Sequence, residues 1–421
     1  MPRATISMSV IKRKMVEKLI KKVLHDRHYW RRMEFSELSE LYASRVMRLM
    51  ALSMVSVFVA IFLYQSGYSL MFIAVVFACM FALRGILAYP SAFVIARFGP
   101  KHGTMLANML SIPALLSLAA LESKGIPALM AYLVFHAAST SLYVISYHVD
   151  FSKIKHRLHV GKELGYMVIL ERIAMAVSPL LGGFIAYLFG PQATLVVGSL
   201  LFAIAALPLF MSPEPVRANQ RITFRYIPLG KLYRGMIAYA ALGWDFTATG
   251  IVWSLFIALA VFGTDSDAVY AQVGAVASVA ILASLAAVKV YGALIDRHQG
   301  DKLLQFGTIG SALIHLVRPF ISTATGVVLA NATTETAKSA YSMPFYKGMY
   351  YQADNLPGYR IVYMAVMDIA VSAGAVLGLV ILAALCAVID EIGSMQVFYF
   401  ITAFAVLAHM AHGFGALRVF R

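Results

Sequence analysis

The stretch Gly-Ala-Leu-Ile-Asp-Arg at residues 292–297 decides the fold, because it ends one long apolar segment shortly before the next begins at Leu303. An altered copy, Ala-Phe-Val-Ile-Ala-Arg-Phe-Gly-Pro-Lys at residues 92–101, lies about 200 residues earlier and also separates two apolar segments. The earlier copy has Ala96 where the later one has Asp296. Two copies at matching places in two series of apolar segments predict a chain built from two related halves.

The composition places the chain in a membrane. Hydrophobic residues make up 61% of the sequence, charged residues 13%, and the mean hydropathy is +0.77, whereas about a quarter of the residues in soluble domains are charged. A helix needs about 20 apolar residues to cross a hydrocarbon core of ~30 Å. The sequence therefore predicts an all-α integral membrane protein with twelve transmembrane helices, at residues 46–64, 68–94, 104–121, 125–148, 164–189, 191–211, 236–262, 268–294, 303–322, 324–346, 360–388 and 394–416.

The predicted helices form two pseudo-symmetric halves of six, at residues 46–211 and 236–421, joined by a linker at residues 212–235. Residues 1–45 form a basic N-terminal segment, in which residues 10–24 have the pattern of an amphipathic helix that lies on an anionic membrane surface or docks a partner. Lys and Arg are concentrated before the first helix and in the even-numbered loops, so both termini are predicted to be cytoplasmic. This distribution accounts for the net charge of +15 without a nucleic-acid partner.

Matching groups inside the helices support the duplication. Residues 166–171, Tyr-Met-Val-Ile-Leu-Glu, are echoed by residues 363–368, Tyr-Met-Ala-Val-Met-Asp, in the fifth and eleventh predicted helices. Residues 141–143, Ser-Leu-Tyr, correspond to residues 339–341, Ser-Ala-Tyr, in the fourth and tenth. Internal repeats of this kind are typical of secondary transporters.

Both copies of the loop resemble the G-x-x-x-D-R-x-G-R-R motif of the major facilitator superfamily, which joins the second and third helices of each half. The resemblance implies a secondary transporter that works by alternating access. The residues it assigns to a cytoplasmic gate are Gly292, Asp296, Arg297, Arg97 and Gly99. In the family the loop Asp is held at the N-terminus of a helix in the opposite half. Asp296 is therefore predicted to contact residues 161–164 at the start of the fifth helix, whereas Ala96 cannot make the matching contact.

The fifth predicted helix is similar to the antiporter signature of the drug-efflux branch, G-x8-G-x3-G-P-x2-G-G, with Ala and Ser replacing two of the glycines. The residues of this helix-bending signature are Gly165, Ser178, Pro179, Gly182 and Gly183. Small residues around a proline let two helices approach and bend against each other. An ordinary packing seam is the alternative interpretation. The same branch usually has an Arg in the fourth helix, where this chain has none and has His136 near that depth.

Ionisable side chains inside the predicted helices are candidate functional groups, because each is costly unless a partner or a wet cavity compensates it. The candidates for proton coupling or for the substrate cavity are Glu335, Lys338, Glu171, Asp368, Arg84 and His136. Glu335 lies near the predicted midplane, with Lys338 one turn deeper on the same helix face. Glu171 and Asp368 hold equivalent positions in the repeat, which favours the central cavity; pairing that only holds helices together is the alternative. His136 either titrates or hydrogen-bonds between helices.

Three further charges, Lys289, Asp245 and Arg318, are predicted near helix ends, where a structural or snorkelling role is as well supported as a functional one. Aromatic residues supply a predicted amphipathic pocket lining, with packing or anchoring as the alternative. These aromatic residues are Tyr64, Tyr143, Tyr147, Tyr341, Phe345 and Tyr363.

Three functional hypotheses remain open at this stage. The first is proton-coupled export of an amphipathic organic compound, the second is symport of a small polar nutrient, and the third is a transporter-like receptor or scaffold. Balanced charges within the membrane argue against the third. The expected partners are a small-molecule substrate, protons and the lipid bilayer, for a monomer in the cell (plasma or inner) membrane. No enzymatic activity, metal or cofactor is predicted, since no loop has the Gly-rich phosphate-binding pattern followed by Lys and Ser or Thr.

Overall fold

The computed structural model describes residues 35–154, 160–211, 214, 219–264, 268–296, 299–356 and 358–417, and within these residues the chain is helical and has no strand. Backbone polar groups in a bilayer core have no water to bind, so long apolar segments fold as helices, in which the backbone satisfies itself. Twelve long helical segments are labelled here in chain order: α1 (Phe35–Ser56 continued by Val59–Gln65), α2 (Leu70–Phe98), α3 (Pro100–Ala119), α4 (Ile126–Ile154), α5 (Val160–Phe189), α6 (Pro191–Ala206), α7 (from Leu229–Phe246 to Ala258–Phe262), α8 (Ala268–Asp296), α9 (Gly300–Val317), α10 (Ala324–Asp354), α11 (Arg360–Cys386) and α12 (Glu391–Ala405).

Nine of these helices, within the described residues, are long and apolar enough to cross a membrane. The other three predicted spans correspond to α8, α9 and α10, of which α8 has a shorter described apolar stretch at Ala268–Leu282. The fold is therefore the predicted all-helical membrane fold. We call the end of the molecule where α2 ends and α7 begins the linker side, and the opposite end the far side.

Glycine followed by proline separates two pairs of helices. Gly99 has φ +94° and Gly190 has φ +84°, a left-handed backbone that only glycine adopts without strain, and each precedes the proline that begins the next helix. Proline is well suited to the first helical position because its missing N–H has no partner there. These two dipeptides fix the α2–α3 and α5–α6 turns.

Several helices extend beyond the predicted spans. α7 begins at Leu229, inside the segment predicted as the linker, α2 continues to Phe98, and α10 runs to Asp354. The apolar pattern marks only the part of a helix that lipid would cover, whereas backbone hydrogen bonding continues into the polar region. The predicted N-terminal amphipathic helix at residues 10–24 lies outside the described residues.

α7 departs from regular α geometry twice, with π-helical segments at Thr247–Val252 and Ala258–Phe262 on either side of Trp253–Ile257. A π turn holds one more residue than an α turn and is frequent at functional sites.

The two halves meet along two helix pairs, α2 against α11 and α5 against α8. In the sequence repeat α2 corresponds to α8 and α5 to α11, so the two pairs are the same contact seen from opposite halves. This arrangement is the pseudo-two-fold symmetry that the duplication predicts.

The signature residues of α5 lie where these helices approach most closely. A side chain at Gly182 would meet the Met54 backbone of α1, and one at Gly183 would meet the Tyr270 backbone of α8. A side chain at Gly274 of α8 would likewise meet the Pro179 backbone of α5. Since proline breaks the local hydrogen-bond pattern, the Leu180 N–H donates at 3.1 Å to the Ser278 hydroxyl of α8. The seam thus brings α5 against both α1 and α8. Gly165 lies within α5, but its surroundings fall outside the described part.

Candidate functional site

A cavity of about 290 Å³ lies between the halves, with α1 and α5 on one side and α7, α8, α10 and the end of α9 on the other. This volume is at the lower end of the range for small-molecule sites. Hydroxyl and amide groups on its wall come from Ser53, Ser56, Thr249, Ser254, Asn331 and Thr334. Its charged residues, among those the structure describes, are Glu335, Lys338 and Arg318.

Glu335 forms an ion pair across the two halves. It lies about 16 Å along α10 from Ala324, and its carboxylate accepts a hydrogen bond from Arg172 on α5. Arg172 also donates to the Ser339 hydroxyl at 2.9 Å. The sequence prediction that Glu335 and Lys338 share a helix face is consistent with both lining the cavity, but Glu335 takes its partner from the opposite half.

Lys338 has its ammonium 5.3 Å from the centre of the Phe246 ring. Arg318 is 1% exposed and donates to the Thr334 hydroxyl at 3.1 Å. Its guanidinium lies 4.5 Å from the centre of the Trp253 ring. Both cations therefore rest on aromatic faces at the cavity wall, a contact that partly compensates their desolvation.

Asp245 is the centre of a buried network behind the cavity. Its carboxylate accepts from the Tyr341 hydroxyl and contacts His315 Nε2 at 2.8 Å. Arg318 donates to His315 Nδ1 at 3.4 Å. A guanidinium can only donate, so Nδ1 is the accepting nitrogen and the Nε2–H donates to Asp245. The network connects Asp245 to the cavity through Arg318.

This network was not singled out from the sequence. Asp245 was placed near a helix end because α7 was predicted to start at residue 236, yet the helix starts at Leu229, which puts Asp245 about two turns deeper. His315 carried no distinguishing signal beyond being a histidine in an apolar span.

A second pair joins the halves at Arg84 of α2 and Asp368 of α11. Asp368 is fully buried, and its other carboxylate oxygen has no hydrogen-bond partner among the described residues. In both pairs that cross the interface, within the described chain, the first half supplies the arginine and the second half supplies the carboxylate. The halves are thus electrostatically complementary at membrane depth.

Glu171 pairs differently from its repeat equivalent Asp368. Its carboxylate accepts from Arg45 on α1 at 2.8 Å, inside the first half, and Arg45 also donates to the Tyr143 hydroxyl at 2.9 Å. Symmetric sequence positions therefore do not give symmetric contacts. His136 lies against Tyr132, with ring centres 5.2 Å apart, and is not part of the cavity wall.

Arg48 on α1 is the buried cation of the first half. It is 1% exposed and donates to Asn108 at 2.8 Å and to Ser139 at 3.1 Å, with the Tyr143 ring centre 3.9 Å from its guanidinium. Its hydrogen-bond partners among the described residues are neutral.

The aromatic residues predicted to line a pocket do not line this cavity. Tyr143, Tyr147, Tyr341, Phe345 and Tyr363 are at most 3% exposed and pack in the core. Tyr64 lies on the far side, where its hydroxyl donates to Glu391 at 2.8 Å. The cavity takes its aromatic faces from Phe246 and Trp253 instead, because, among the described residues, α7 supplies more of the wall than any other helix and α4 supplies none of it.

Hydrogen bonds join the halves at both ends of the molecule. On the far side, Gln65 donates to the Thr264 carbonyl at 2.9 Å and accepts from the Tyr270 hydroxyl at 2.5 Å. On the linker side, His148 and the Tyr350 hydroxyl are 2.8 Å apart, and Arg360 donates to Ser152 at 3.0 Å. The halves are therefore in contact on both sides of the cavity.

The earlier copy of the loop motif is covered by the linker. The Ala96 carbonyl accepts from the Gln220 N–H at 2.8 Å, and the Arg97 carbonyl accepts from the Asn219 N–H at 3.1 Å. Ala96 is 2% exposed, whereas the Arg97 side chain is exposed. The linker therefore packs against the end of α2 at the earlier copy of the motif.

A carboxylate from the linker reaches the start of α3. Glu214 accepts from the His102 N–H at 3.1 Å and contacts the His102 ring at 3.0 Å. A side chain at Gly99 would collide with this carboxylate. The positive end of a helix favours an anion there. The later motif copy is described only in part. A side chain at Gly292 would meet no atom of the described residues, and Asp296 ends α8, while the Asp296 side chain and Arg297 lie outside the described part. The Asp296 latch stays a prediction.

Comparison with known proteins decides the family. The Major Facilitator Superfamily matches residues 41–345, most of the chain. This chain belongs to the major facilitator superfamily. Two solved transporters have similar folds over 91% of this chain and 99% of their own: the nucleoside transporter NupG, with 12% identity and a TM-score of 0.61, and the human organic anion transporter MFSD10 (TETRAN), with 13% identity and a TM-score of 0.67. No curated protein sequence matches the chain.

Membership of the superfamily makes this multi-pass membrane protein a secondary transporter of a small molecule and not an enzyme. In this major facilitator, the cavity between the halves is at the place where an alternating-access transporter holds its substrate.

Proposed function

We propose that this transporter exports an amphipathic organic solute in exchange for protons, and that Glu335 is the group that binds the proton. It acts as a monomer in the cell (plasma or inner) membrane. The observation that carries the proposal is the Glu335–Arg172 pair, which joins the two halves and lies at the cavity wall.

Transport of the substrate is coupled to proton binding because separating the Glu335–Arg172 ion pair costs free energy. When the halves move apart at the cavity, the ion pair between Arg172 and Glu335 separates. A carboxylate at membrane depth without its cation is strongly disfavoured. Uptake of a proton by Glu335 removes that charge. Asp368 is the weaker candidate because it does not line the cavity, so solute has no direct contact with it.

The α5 seam supports the direction of transport. It resembles the antiporter signature, and it brings α5 against α8 of the other half at Gly183 and Gly274. Close backbone contact at a proline break lets two helices rock against each other.

A second candidate is uptake of a small polar nutrient by symport. The observation that favours it is the polar part of the cavity wall, where Asn331, Thr334 and Thr249 offer hydrogen bonds to a neutral solute. NupG is a nucleoside transporter and MFSD10 an organic anion transporter, so nucleosides and organic anions are both candidate solute classes.

Solute flux in proteoliposomes with an imposed pH gradient tests the proposal, with a pH-sensitive dye recording proton movement as a compound library is screened. We expect Glu335→Gln to abolish gradient-driven transport while the protein remains folded, because the amide keeps the shape and loses the proton site. The matched control is Glu122→Gln, which changes an exposed carboxylate on the far side.

Proton movement in the same direction as solute would favour the symport candidate. A Glu335→Gln protein that still moves solute against its gradient at the wild-type rate would remove Glu335 from the coupling mechanism.

A further inference from the structure

The charge on the cavity wall is unbalanced. Of its three charged residues within the described chain, Glu335 is already held by Arg172 of the other half. Lys338 and Arg318 are cations, and no described carboxylate lies within 4 Å of either. Two buried positive charges without an ion pair are costly, so a compensating negative charge would be strongly favoured there.

Arg318 has unused donor capacity. Its two terminal nitrogens reach His315 and Thr334, both uncharged acceptors, while its Nε has no hydrogen-bond partner among the described residues. Asp245 acts on Arg318 through space but forms no ion pair with it, because the His315 ring lies between them. A guanidinium with five N–H groups and a neutral environment is well suited to a planar anion.

Lys338 likewise has no ion-pair partner among the described residues, and Asp245 acts on it only through space. Its ammonium lies over the face of Phe246 and carries three donors. It lies three residues after Glu335 on α10, the spacing at which side chains share a helix face, but the Glu335 carboxylate is turned to Arg172.

The rest of the wall fits a flat apolar body. Phe246 and Trp253 present aromatic faces next to the two cations, and Val57, Met175 and Ile281 add apolar surface. The cavity of about 290 Å³ limits the ligand to a small molecule.

We propose that the cavity binds a small aromatic organic acid, whose carboxylate, sulfonate or phosphate lies between Lys338 and Arg318 and whose ring packs against Phe246 and Trp253. This inference rests on the proposed transport function, since the same cavity carries the solute. The proposed site would repel organic cations through its two positive charges. It would also bind acids more tightly than neutral solutes of the same shape.

Equilibrium binding to the purified full-length protein in nanodiscs provides the test. The probes are matched sets that differ only in charge: benzoate, benzamide and benzylamine, and indole-3-acetate, indole-3-acetamide and tryptamine, measured by calorimetry at one pH and ionic strength. We expect at least one acid to bind at least tenfold more tightly than its amide, and the amines to show no binding.

Variants then locate the anion. Lys338→Met should reduce the preference for acid over amide by about tenfold, and Lys338→Arg should retain most of it. Lys347→Met, on the same helix but outside the cavity wall, is the matched control and should leave the preference unchanged. If Lys338→Met does not fold, Arg318→Gln gives the same comparison, and the wild-type preference is informative without any variant.

Equal binding of acids and amides, tighter binding of an amine, or no binding of any probe at millimolar concentration would overturn the proposal. A competing role for Lys338, as a replacement partner for Glu335 when Arg172 moves away, predicts that Lys338→Met weakens acids and amides equally. These outcomes are separate from those of the coupling test: acid binding without proton-driven flux would contradict proton coupling and leave the anion site standing, while flux of neutral solutes alone would do the reverse.

Discussion

Arg48 and Asp245 occupy equivalent places in the two halves, and they carry opposite charges. Arg48 on α1 lies against Tyr143 of α4, and Asp245 on α7 accepts a hydrogen bond from Tyr341 of α10, the repeat equivalent of Tyr143. Each also reaches the third helix of its half, Arg48 through Asn108 and Asp245 through His315. The two halves thus share a three-helix contact, and its central residue is positively charged in the first half and negatively charged in the second.

The two places differ in the kind of partner that each charge has. Arginine stays charged at any physiological pH, and the partners of Arg48 among the described residues are neutral amide and hydroxyl groups. In the second half, by contrast, the Asp245 carboxylate and His315 share a hydrogen bond. Glu335, which also belongs to the second half, lines the cavity between the halves. At this equivalent place the first half therefore holds a cation among neutral groups, and the second half holds a carboxylate that is hydrogen-bonded to a histidine.

The largest effect that the comparison predicts is on stability in the second half. Asp245→Ala should destabilise the protein by about 2–6 kcal/mol, because it leaves the two buried donors, the His315 Nε2–H and the Tyr341 hydroxyl, without their acceptor at a cost of about 1–3 kcal/mol each. Thermal unfolding of the purified protein in detergent measures this loss. Asp245→Asn is the control: it keeps an acceptor of the same shape and should cost clearly less, so equal losses for the two variants would mean that packing, and not the network, is responsible.

A smaller effect is expected in the first half. Arg48→Met replaces a buried cation by an apolar chain of similar length, an exchange that is often tolerated, although Asn108 and Ser139 lose a donor at a cost of about 1–3 kcal/mol. The same unfolding measurement gives the comparison. If Arg48→Met lowered the stability more than Asp245→Ala, the inference that neutral groups hold Arg48 would be wrong.

The smallest effect concerns the linker side, where the halves differ again. Glu214→Gln removes the anion at the start of α3, which contributes about 0.3–1 kcal/mol at a partly exposed site, so the His102 amide should exchange its hydrogen about two to five times faster. Hydrogen exchange followed by mass spectrometry measures this rate. Glu122→Gln is the control, and an unchanged rate in Glu214→Gln would show that the backbone contacts at Asn219 and Gln220 alone hold the linker.

The sequence was sufficient for the fold and for part of the site. Apolar segments, the two loop copies and the repeat of Tyr143 by Tyr341 predicted the helices and their division into two related halves, because these follow from local composition and from duplication. Glu335 and Lys338 were found because charges are rare at membrane depth. Their partners were not, since the contact of Glu335 with Arg172 depends on how two distant helices cross. Asp245 was misplaced through an error in the start of one helix, and the cavity aromatics were assigned to the wrong helices, because an apolar stretch does not indicate which face turns inward.

The π-helical turns of α7 allow this helix to lose a residue without turning its cavity-lining side chains to another face. Removing one residue from a regular α-helix turns everything beyond it by about 100° and would carry side chains off their face. In α7 the segments Thr247–Val252 and Ala258–Phe262 each hold an extra residue, and Thr249, Gly250 and Ser254 of this region line the cavity. A one-residue deletion within either segment would convert it to α geometry and return the following residues close to their original face. Single insertions and deletions are therefore a route by which descendants of this chain could reshape the cavity wall without refolding the helix.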